Sequence, residues 1–396
     1  MSRMRRLLQI VGFGGVTVLA VFGCGAQGDR TASHKTNDSA QTEHYSGDTK
    51  LRLQPAYGLW QRYDPNSARH AFRAKNAKQA GSWQRKTRKA LNELLGFQHD
   101  PEVDPQPKLL EKVDKPDYTR EKVLIRTSAY TQMPVYILLP KKRPRPLPVV
   151  VALHGHGYGV KSIVGITKEG AERDEPEGYQ KDFAVALCRR GFAVAAPEIS
   201  CFGERQTDFS YLNKELGQGA PKSCAHTAAL ASHLGGSALG LRVLDTKRLV
   251  DYLQTRKEMD TSRLGMMGIS GGGMLTFFTT ALDERIKACV VSGYFCTFRH
   301  SVLAMAHCQC NYVHGLGQFG EMSDIVGLIA PRPMLVEAGS LDPIFPIDNV
   351  KASVRRAQQV YKVLGAEAHV ETDYFEGKHQ ISGKRAYDFL MEKLSN

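Results

Sequence analysis

The strongest constraint on the fold of this chain is an alternation of short apolar runs with helical segments from about residue 118 onward. Residues 148–153 (Pro-Val-Val-Val-Ala-Leu) form a continuous apolar run, which is typical of a strand covered on both faces. Residues 182–190 then show helical periodicity that ends at Gly191. This alternation predicts a doubly wound α/β domain with a mostly parallel sheet. Further strands are predicted at 122–127 and 133–139 (a hairpin), 192–196, 264–269, 288–291, 334–338 and 368–374, and further helices at 241–256 and 272–282.

The composition excludes several classes of protein. The 396 residues are 42% hydrophobic and 23% charged, which is ordinary for a globular chain and excludes collagen, a wholly disordered chain and a polytopic membrane protein. A net charge of +13 would indicate a nucleic-acid binder if it were spread over a folded face. Most of the excess lies in residues 1–97, however, and the rest is nearly neutral. We therefore expect no nucleic-acid partner.

The amino terminus has the pattern of an export signal. Three arginines in residues 1–6 precede an apolar stretch at 7–22, which is shorter than the roughly 20 residues of a membrane-spanning helix. The junction Gly23-Cys24 resembles a bacterial lipoprotein signal, although Phe22 is untypical there; an uncleaved anchor or an ordinary secretory signal are the alternatives. The resemblance implies a signal peptide at 1–23 and lipidation of Cys24. The protein would be exported and tethered to the cell membrane or the outer membrane, with its folded domain in the periplasm or outside the cell.

Two segments separate this signal from the α/β region. Residues 24–50 contain almost no large apolar side chains and are predicted to be a disordered polar tether. Residues 51–117 are predicted to be a helical extension, with two short helices at about 66–96 and Ser82 as a helix N-cap. Nine basic residues and one acidic residue lie between positions 62 and 89. A solvated helix surface explains them best, and contact with anionic lipid headgroups is the alternative.

The sequence Gly268-Ile269-Ser270-Gly271-Gly272 fits the pattern G-x-S-x-G between a predicted strand and a predicted helix. In that context, a sharp turn lifts the serine hydroxyl above the sheet, and the flanking glycines let the strand and helix backbones approach each other. The pattern alone is weak evidence in a chain with 37 glycines. Its value depends on whether an acid and a histidine follow in the appropriate places.

Both partners follow at the ends of later strands. Asp342 lies in the loop after the strand at 334–338, and His379 lies in the loop after the strand at 368–374. A histidine there could take a proton from Ser270, while the aspartate would orient the imidazole. The order Ser, Asp, His therefore predicts a catalytic triad of Ser270, Asp342 and His379. Glu337 and Asp348 flank the predicted acid in sequence. Glu337, however, lies inside the predicted strand, and Asp348 is predicted to begin a helix.

A glycine-bearing turn follows the strand at 148–153. In the turn His154-Gly155-His156-Gly157, backbone N–H groups could stabilise an oxyanion together with the N–H of Gly271. We predict His156 as the second donor, and we expect both glycines to adopt backbone angles that a side chain forbids. The alternative makes His154 and His156 metal ligands, but no carboxylate or cysteine lies near them in sequence.

Seven cysteines remain besides Cys24, which an exported protein could pair as disulfides. The segment His307-Cys308-Gln309-Cys310 has a metal-like pattern, but structural zinc sites require four ligands in paired spacing. Buried thiols or one disulfide are therefore preferred to a metal, and no metal or organic cofactor is predicted.

Taken as a set, these motifs resemble the α/β-hydrolase superfamily, and within it the bacterial serine hydrolases similar to acetylxylan esterases and dienelactone hydrolases. The motifs are the HGHG turn, the GISGGG elbow, the segment LIAPRPMLVEAGSLDPIFP, the EGKH end and the CFGER loop at 201–205. The resemblance covers about 118–396 and implies an α/β-hydrolase fold with an N-terminal helical extension. It also implies Ser270 as nucleophile, Asp342 as acid, His379 as base, and Gly271 with His156 as oxyanion donors. The chain departs from the pattern at Cys201 and at 205–240, a segment that could reshape the pocket.

The resemblance implies a serine esterase that acts through an acyl-enzyme, with acetylated carbohydrates or other small ester substrates as its partners. A peptidase of the same fold is the enzymatic alternative. A catalytically silent binding lipoprotein is the alternative from another class, although the presence of all three triad residues counts against it.

Overall fold

The computed structural model describes residues 47–208 and 222–395. The predicted signal peptide, Cys24 and most of the tether lie outside the described residues. Residues Trp60–Asn396 form one compact unit. In the described residues, we find no helix with the length and apolar character needed to cross a membrane.

Nine strands of the described residues form a single sheet. They are β1 Lys108–Asp114, β2 Tyr118–Arg126, β3 Gln132–Pro140, β4 Leu147–Leu153, β5 Ala193–Pro197, β6 Met259–Ile269, β7 Ala288–Ser292, β8 Met334–Gly339 and β9 Val370–Phe375. Their order across the sheet is β1-β2-β3-β5-β4-β6-β7-β8-β9. The pairs from β1 to β3, and β3 with β5, are antiparallel, whereas all pairs from β5 to β9 are parallel. The predicted mostly parallel α/β sheet is confirmed.

Strand β4 shows that both faces of the sheet are buried. Val149 and Val151 belong to one apolar core cluster, and Val150 and Ala152 belong to the other. Because alternate side chains of a strand point to opposite faces, the two clusters lie on the two sides of the sheet. The continuous apolar run in the sequence reflects this double burial.

The helices of the described residues alternate with the parallel strands. They are α1 Gly47–Arg52, α2 Pro55–Arg62, α3 Ala77–Leu95, α4 Phe183–Arg190, α5 Ser223–His233, α6 Ala238–Leu253, α7 Gly271–Leu282, α8 Leu316–Phe319, α9 Met322–Ile325, α10 Ile347–Lys362 and α11 Ala386–Leu394. The predicted stop of α4 at Gly191 is confirmed, since this glycine has a φ of 114°. Helix α6 begins earlier than predicted because the Ser237 hydroxyl accepts a hydrogen bond from the N–H of Gly240 and caps the helix.

Helix α3 differs from its prediction. It is one helix of 19 residues rather than two short ones, and its N-cap is Asn76 rather than Ser82. The side chain of Asn76 accepts a hydrogen bond from the N–H of Gln79 over 3.0 Å, which satisfies a donor that the first turn leaves without a partner. Ser82 consequently lies inside the helix. Gly96 ends α3 with a φ of 72°, as predicted.

The basic face of α3 is not wholly solvated. The guanidinium of Arg88 donates to the carbonyl of Ala281 at 3.1 Å and to that of Leu328 at 3.0 Å. Ala281 lies in the last turn of α7, where carbonyls have no partner within the helix. Burial lowers the pKa of Arg88. Leu91 and Leu95 belong to the core on this side of the sheet, so α3 packs into the same unit as the strands.

Strand β1 was not predicted. Its sequence, Lys-Leu-Leu-Glu-Lys-Val-Asp, is largely exposed and pairs with β2 on one side only. An edge strand with charged side chains lacks the apolar signal of a buried strand, and its charges discourage pairing with other chains. The segment predicted to be a helical extension, 51–117, therefore contains a strand of the sheet as well as helices.

Candidate active site

Ser270 lies at a sharp turn between β6 and α7. Its φ of 58° and ψ of −120° are unusual for a residue with a side chain, and its N–H donates to the carbonyl of Ser292 over 3.0 Å. A Cβ atom on Gly268 would lie 2.4 Å from the carbonyl oxygen of Gly272, and one on Gly272 would lie 1.9 Å from that of Leu153. The two flanking glycines are therefore required because the backbones of β4, β6 and α7 meet at this point.

Asp342 and His379 form a hydrogen-bonded pair. Asp342 follows β8, and its Oδ2 lies 2.7 Å from Nδ1 of His379 in the loop after β9. Its other oxygen accepts hydrogen bonds from the N–H groups of Ile344 at 2.8 Å and Phe345 at 3.2 Å. These bonds fix the carboxylate in a buried position. An aspartate so placed selects the imidazole tautomer that carries its proton on Nδ1 and leaves Nε2 free to act as a base.

Two aromatic side chains stack on the ring of His379. Tyr179 stacks at a centroid distance of 5.7 Å, and so does Phe345. The Nε2 atom is buried and has no hydrogen-bond partner among the described residues. The structure therefore pairs His379 with Asp342 but records no hydrogen bond from His379 to the hydroxyl of Ser270.

One backbone segment brings Ser270 and His379 to the same place. Ser292, at the end of β7, accepts the N–H of Ser270, and a Cβ on the next residue, Gly293, would lie 2.8 Å from Cε1 of His379. Gly293 has a φ of 52°, which places the chain close beside the ring. Catalytic hydrogen bonds are often long in proteins without substrate and shorten in the reacting complex.

The acidic residues that flank Asp342 have other partners. Glu337 lies buried in β8 and accepts the hydroxyl of Ser292 at 2.8 Å and the N–H groups of Ser382 and Gly383 at 2.9 Å each. Burial raises its pKa. Glu337 thus connects the loop that follows His379 to strands β7 and β8. Asp348 is exposed in the first turn of α10, where a carboxylate suits the helix dipole.

The turn after β4 lies against the turn that contains Ser270. The N–H of Gly155 donates to Oε1 of Gln180 at 2.7 Å, and the carbonyl of His156 accepts the hydroxyl of Tyr179 at 2.5 Å. A Cβ on Gly271 would lie 2.9 Å from the ring of His156, so this ring packs directly on the residue after Ser270. The N–H of Gly271 is the first of α7 and has no acceptor within the helix. His156 and Gly271 are thus neighbours, as an oxyanion site formed by both requires.

The two glycines of this turn are needed to different degrees. A Cβ on Gly155 would lie 2.2 Å from the hydroxyl of Tyr179 and 2.9 Å from the carbonyl of Ile269. A Cβ on Gly157 would make only an ordinary contact of 3.5 Å with Gln180. Gly155 has no left-handed φ, and the φ of Gly157, 159°, borders on extended backbone. The expectation of special backbone angles is therefore wrong for Gly155, which is required for lack of space, whereas Gly157 does have a positive φ.

We accordingly expect Gly155→Val to lower kcat by about 10²-fold or more, because displacing the turn removes an oxyanion donor from its place. Gly157→Val should have a much smaller effect. Steady-state kinetics of both variants, with circular dichroism to verify folding, measure this difference. Equal losses in the two variants would contradict it.

His154 and His156 have different environments. His154 is fully buried; its Nδ1 lies 2.8 Å from the carbonyl oxygen of Gly155, and its Nε2 lies 3.0 Å from the N–H of Ile199. Both of its ring nitrogens are therefore occupied within the protein. The ring of His156 packs edge-on against Phe202 of the CFGER loop, and its Nε2 lies 3.8 Å from Sγ of Cys310. Burial, followed by the nearby charge of Arg242, lowers the pKa of His156 to about 4.

Gln180, Tyr179 and Phe345 are site residues that the sequence did not reveal. Gln180 and Tyr179 lie in no motif, and Phe345 lies in the segment LIAPRPMLVEAGSLDPIFP without a role that the sequence could assign to it. Their function depends on side chains that the fold brings beside them. A surface cleft of about 650 Å³, lined in part by Arg173, Arg189 and Tyr387, includes none of the triad residues. We do not assign it to the reaction.

The sheet order, the serine elbow and the Asp–His pair at the ends of successive parallel strands define an α/β hydrolase. The chain belongs to the Abhydrolase family, whose model matches residues 52–393.

Relatives and solved structures agree with this assignment. YtaP of Bacillus subtilis (strain 168), which is provisionally described as a hydrolase, is 29% identical over 258 residues, covering 62% of this chain and 77% of that protein. A Bacteroides fragilis NCTC 9343 structure, provisionally described as an acetyl xylan esterase, has a TM-score of 0.67 at 18% identity and covers 81% of this chain and 82% of its own. A glucuronoyl esterase from Solibacter usitatus has a TM-score of 0.59 at 17% identity, covering 80% and 94%. At these identities, the structural likeness shows the fold.

Proposed function

We propose that this protein is a serine hydrolase that cleaves carboxylic esters, and that its substrates are acetyl or other short acyl esters of carbohydrates. The observation that carries the proposal is the 2.7 Å hydrogen bond between Asp342 and His379, which leaves Nε2 of the histidine without a partner beside the serine elbow. Among the structures of similar fold, several are named as carbohydrate esterases, including an acetyl xylan esterase from Paenibacillus sp. R4. These names support the substrate class.

The proposed reaction passes through an acyl-enzyme. Oγ of Ser270 attacks the ester carbonyl carbon while Nε2 of His379 takes the hydroxyl proton. The negative charge that develops on the carbonyl oxygen is stabilised by the N–H groups of Gly271 and His156. The tetrahedral intermediate collapses, His379 returns the proton to the departing alcohol oxygen, and the acyl group remains on Ser270.

The second half of the reaction restores the enzyme. His379 deprotonates a water molecule, whose oxygen attacks the acyl carbon and forms a second tetrahedral intermediate. This intermediate releases the carboxylic acid as the proton returns to Oγ of Ser270. Asp342 holds the imidazole in one orientation and stabilises its charged form in both halves.

Two measurements on the purified protein test this function. We expect p-nitrophenyl acetate to be hydrolysed faster than esters of longer acyl chains, and acetate to be released from acetylated xylo-oligosaccharides. In acetylated xylo-oligosaccharides, the sugar is the alcohol that leaves. In a glucuronate ester, the sugar instead carries the acyl group. The benzyl ester of glucuronic acid is therefore the matched control for the side of the ester bond on which the sugar lies. Faster cleavage of a peptide amide would favour the peptidase alternative, and inertness toward all of these substrates would favour a silent binding protein.

We further propose that the protein is exported and held at a membrane by lipid on Cys24. The support is the arginine-rich start, the short apolar stretch and the Gly23-Cys24 junction in the sequence. Intact-mass analysis of the protein from its native host tests this proposal. A mature chain that begins elsewhere, or an unmodified Cys24, would contradict it.

A further inference from the structure

A cluster of sulfur and nitrogen atoms includes the ring of His156. A ring nitrogen of His156 and the sulfur atoms of Cys308 and Cys310 all lie within 4.8 Å of one another. The distance between Nε2 of His156 and Sγ of Cys310 is 3.8 Å. The histidine comes from the turn after β4, and the two cysteines come from the segment between β7 and α8, so only the fold brings them together.

A fourth donor joins this cluster from α5. The sulfur of Cys224 lies 2.9 Å from that of Cys308, and it also interacts with the thiol of Cys310. All of these cysteines are free thiols in the structure. The thiol of Cys201 also interacts with Cys224, and its second side-chain hydrogen bond is with Thr227. The compact group thus consists of two thiols and one imidazole, and the thiol of Cys224 contacts both of its cysteines while lying outside the 4.8 Å group.

A buried positive charge adjoins the thiols. The guanidinium of Arg242, which is 2% exposed, lies with Nη2 3.5 Å from Sγ of Cys224. It also donates hydrogen bonds to the hydroxyl and the carbonyl of Ser200 and interacts with the thiol of Cys310. Among the described residues we find no ion pair between it and a carboxylate. A buried cation is costly unless an opposite charge lies nearby. Negative charge in the cysteine cluster would supply it.

We propose that His156, Cys224, Cys308 and Cys310 bind one zinc ion. Zinc prefers four ligands in a tetrahedron, and three thiolates with one imidazole form a common structural set. With zinc–ligand distances of about 2.0–2.3 Å, the donor atoms of such a site are separated by about 3.5–3.8 Å. The 3.8 Å between His156 and Cys310 matches this spacing. Cys224 needs to separate from Cys308 by less than about 1 Å, and metal binding must also draw it into the 4.8 Å group formed by the other three donors.

The charges balance as well. Three thiolates and one divalent zinc ion carry a net charge of −1, which the guanidinium of Arg242 neutralises inside the protein. Soft thiolate donors favour zinc over magnesium or calcium, which prefer oxygen. Because four protein donors complete the tetrahedron, the site is structural and offers no open position for substrate.

The site has a consequence for the oxyanion turn, although it does not depend on the proposed esterase activity. Nε2 of His156 would bind the metal while the ring packs on Gly271, so the ion would fix the turn whose N–H faces the reacting carbonyl. His156 is thus a metal ligand through its side chain and an oxyanion donor through its backbone.

Metal analysis of the full-length protein tests the proposal directly. The chain is purified with a tag that contains no histidine, without chelator and in the presence of a reductant. We expect about one zinc ion per chain by elemental mass spectrometry. Replacement by Co²⁺ should produce the thiolate-to-cobalt charge-transfer band and the intense visible bands of a tetrahedral site. Because these measurements use the unmodified chain, they do not depend on whether a variant folds.

Matched variants identify the ligands. Cys224→Ser and Cys308→Ser should each purify with less than about a tenth of the zinc. Cys188→Ala is the control, because Cys188 is a buried thiol of α4 in the other core cluster and should keep its metal. Ser270→Ala should also keep its zinc, so that a failure of the esterase proposal remains distinguishable from a failure of this one.

Two results would overturn the proposal. One is a reduced, folded protein that contains no zinc and produces no cobalt spectrum. The other is a Cys224–Cys308 disulfide recovered by non-reducing peptide mapping of the native protein, since oxidised sulfurs cannot serve as thiolate ligands.

Discussion

Ser270→Ala is expected to lower kcat for ester hydrolysis by about 10⁶-fold, because the variant has no nucleophile to form the acyl-enzyme. His379→Ala should fall to a similar value, and the double variant should fall no further, since the two residues act as a unit. Fluorophosphonate labelling provides a second measurement that is independent of substrate choice. The wild-type chain should be labelled at Ser270, and the variant should remain unlabelled.

Ser262→Ala is the matched control for this substitution. Ser262 lies in the same strand, β6, but at its exposed beginning, where its hydroxyl bonds only to Asp260. This variant should retain full activity and labelling. If Ser270→Ala retains activity while it is folded, the nucleophile lies elsewhere and the proposed mechanism is wrong.

Asp342→Asn is expected to lower kcat by about 10⁴-fold without loss of the fold. The asparagine keeps the shape of the side chain, but its amide group can donate to Nδ1 of His379, which favours the tautomer with the proton on Nε2. A base that already carries its proton on Nε2 cannot accept the proton of Ser270. The amide oxygen of the asparagine can still accept hydrogen bonds from the backbone N–H groups of Ile344 and Phe345. The loop should therefore keep its conformation.

Asp348→Asn is the control for the acid. This residue lies six positions further along in the same loop-to-helix segment, is exposed, and contributes only a favourable charge near the start of α10. We expect its loss to reduce stability slightly and to leave kcat unchanged, as measured by steady-state kinetics and thermal unfolding. The opposite pattern, an active Asp342→Asn and an inactive Asp348→Asn, would show that the acid has been assigned to the wrong residue.

The order of the elements could be predicted because each depends on local pattern. Each feature can be recognised from a short stretch of sequence. Examples are the apolar run of β4, the glycine that ends α4 at position 191, and the glycines that flank Ser270. The structure differs from the predictions where the sequence signals for a helix start or a strand compete or are weak. Ser82 is a favourable N-cap residue, yet α3 begins at Ala77 because the side chain of Asn76 accepts the N–H of Gln79. Strand β1 lacked an apolar signal because it lies at a charged edge.

The chemistry divides in the same way. The sequence by itself determined the α/β class, the serine turn and the chain order of Ser270, Asp342 and His379, because strand ends and glycine patterns are local properties. Only the tertiary structure decided that Tyr179 and Phe345 stack on His379, that Gly155 has no room for a side chain, and that Cys224 and Cys308 meet. These are contacts between segments far apart in the chain. They depend on how the sheet and its helices pack, and the spacing of residues within one segment cannot predict them.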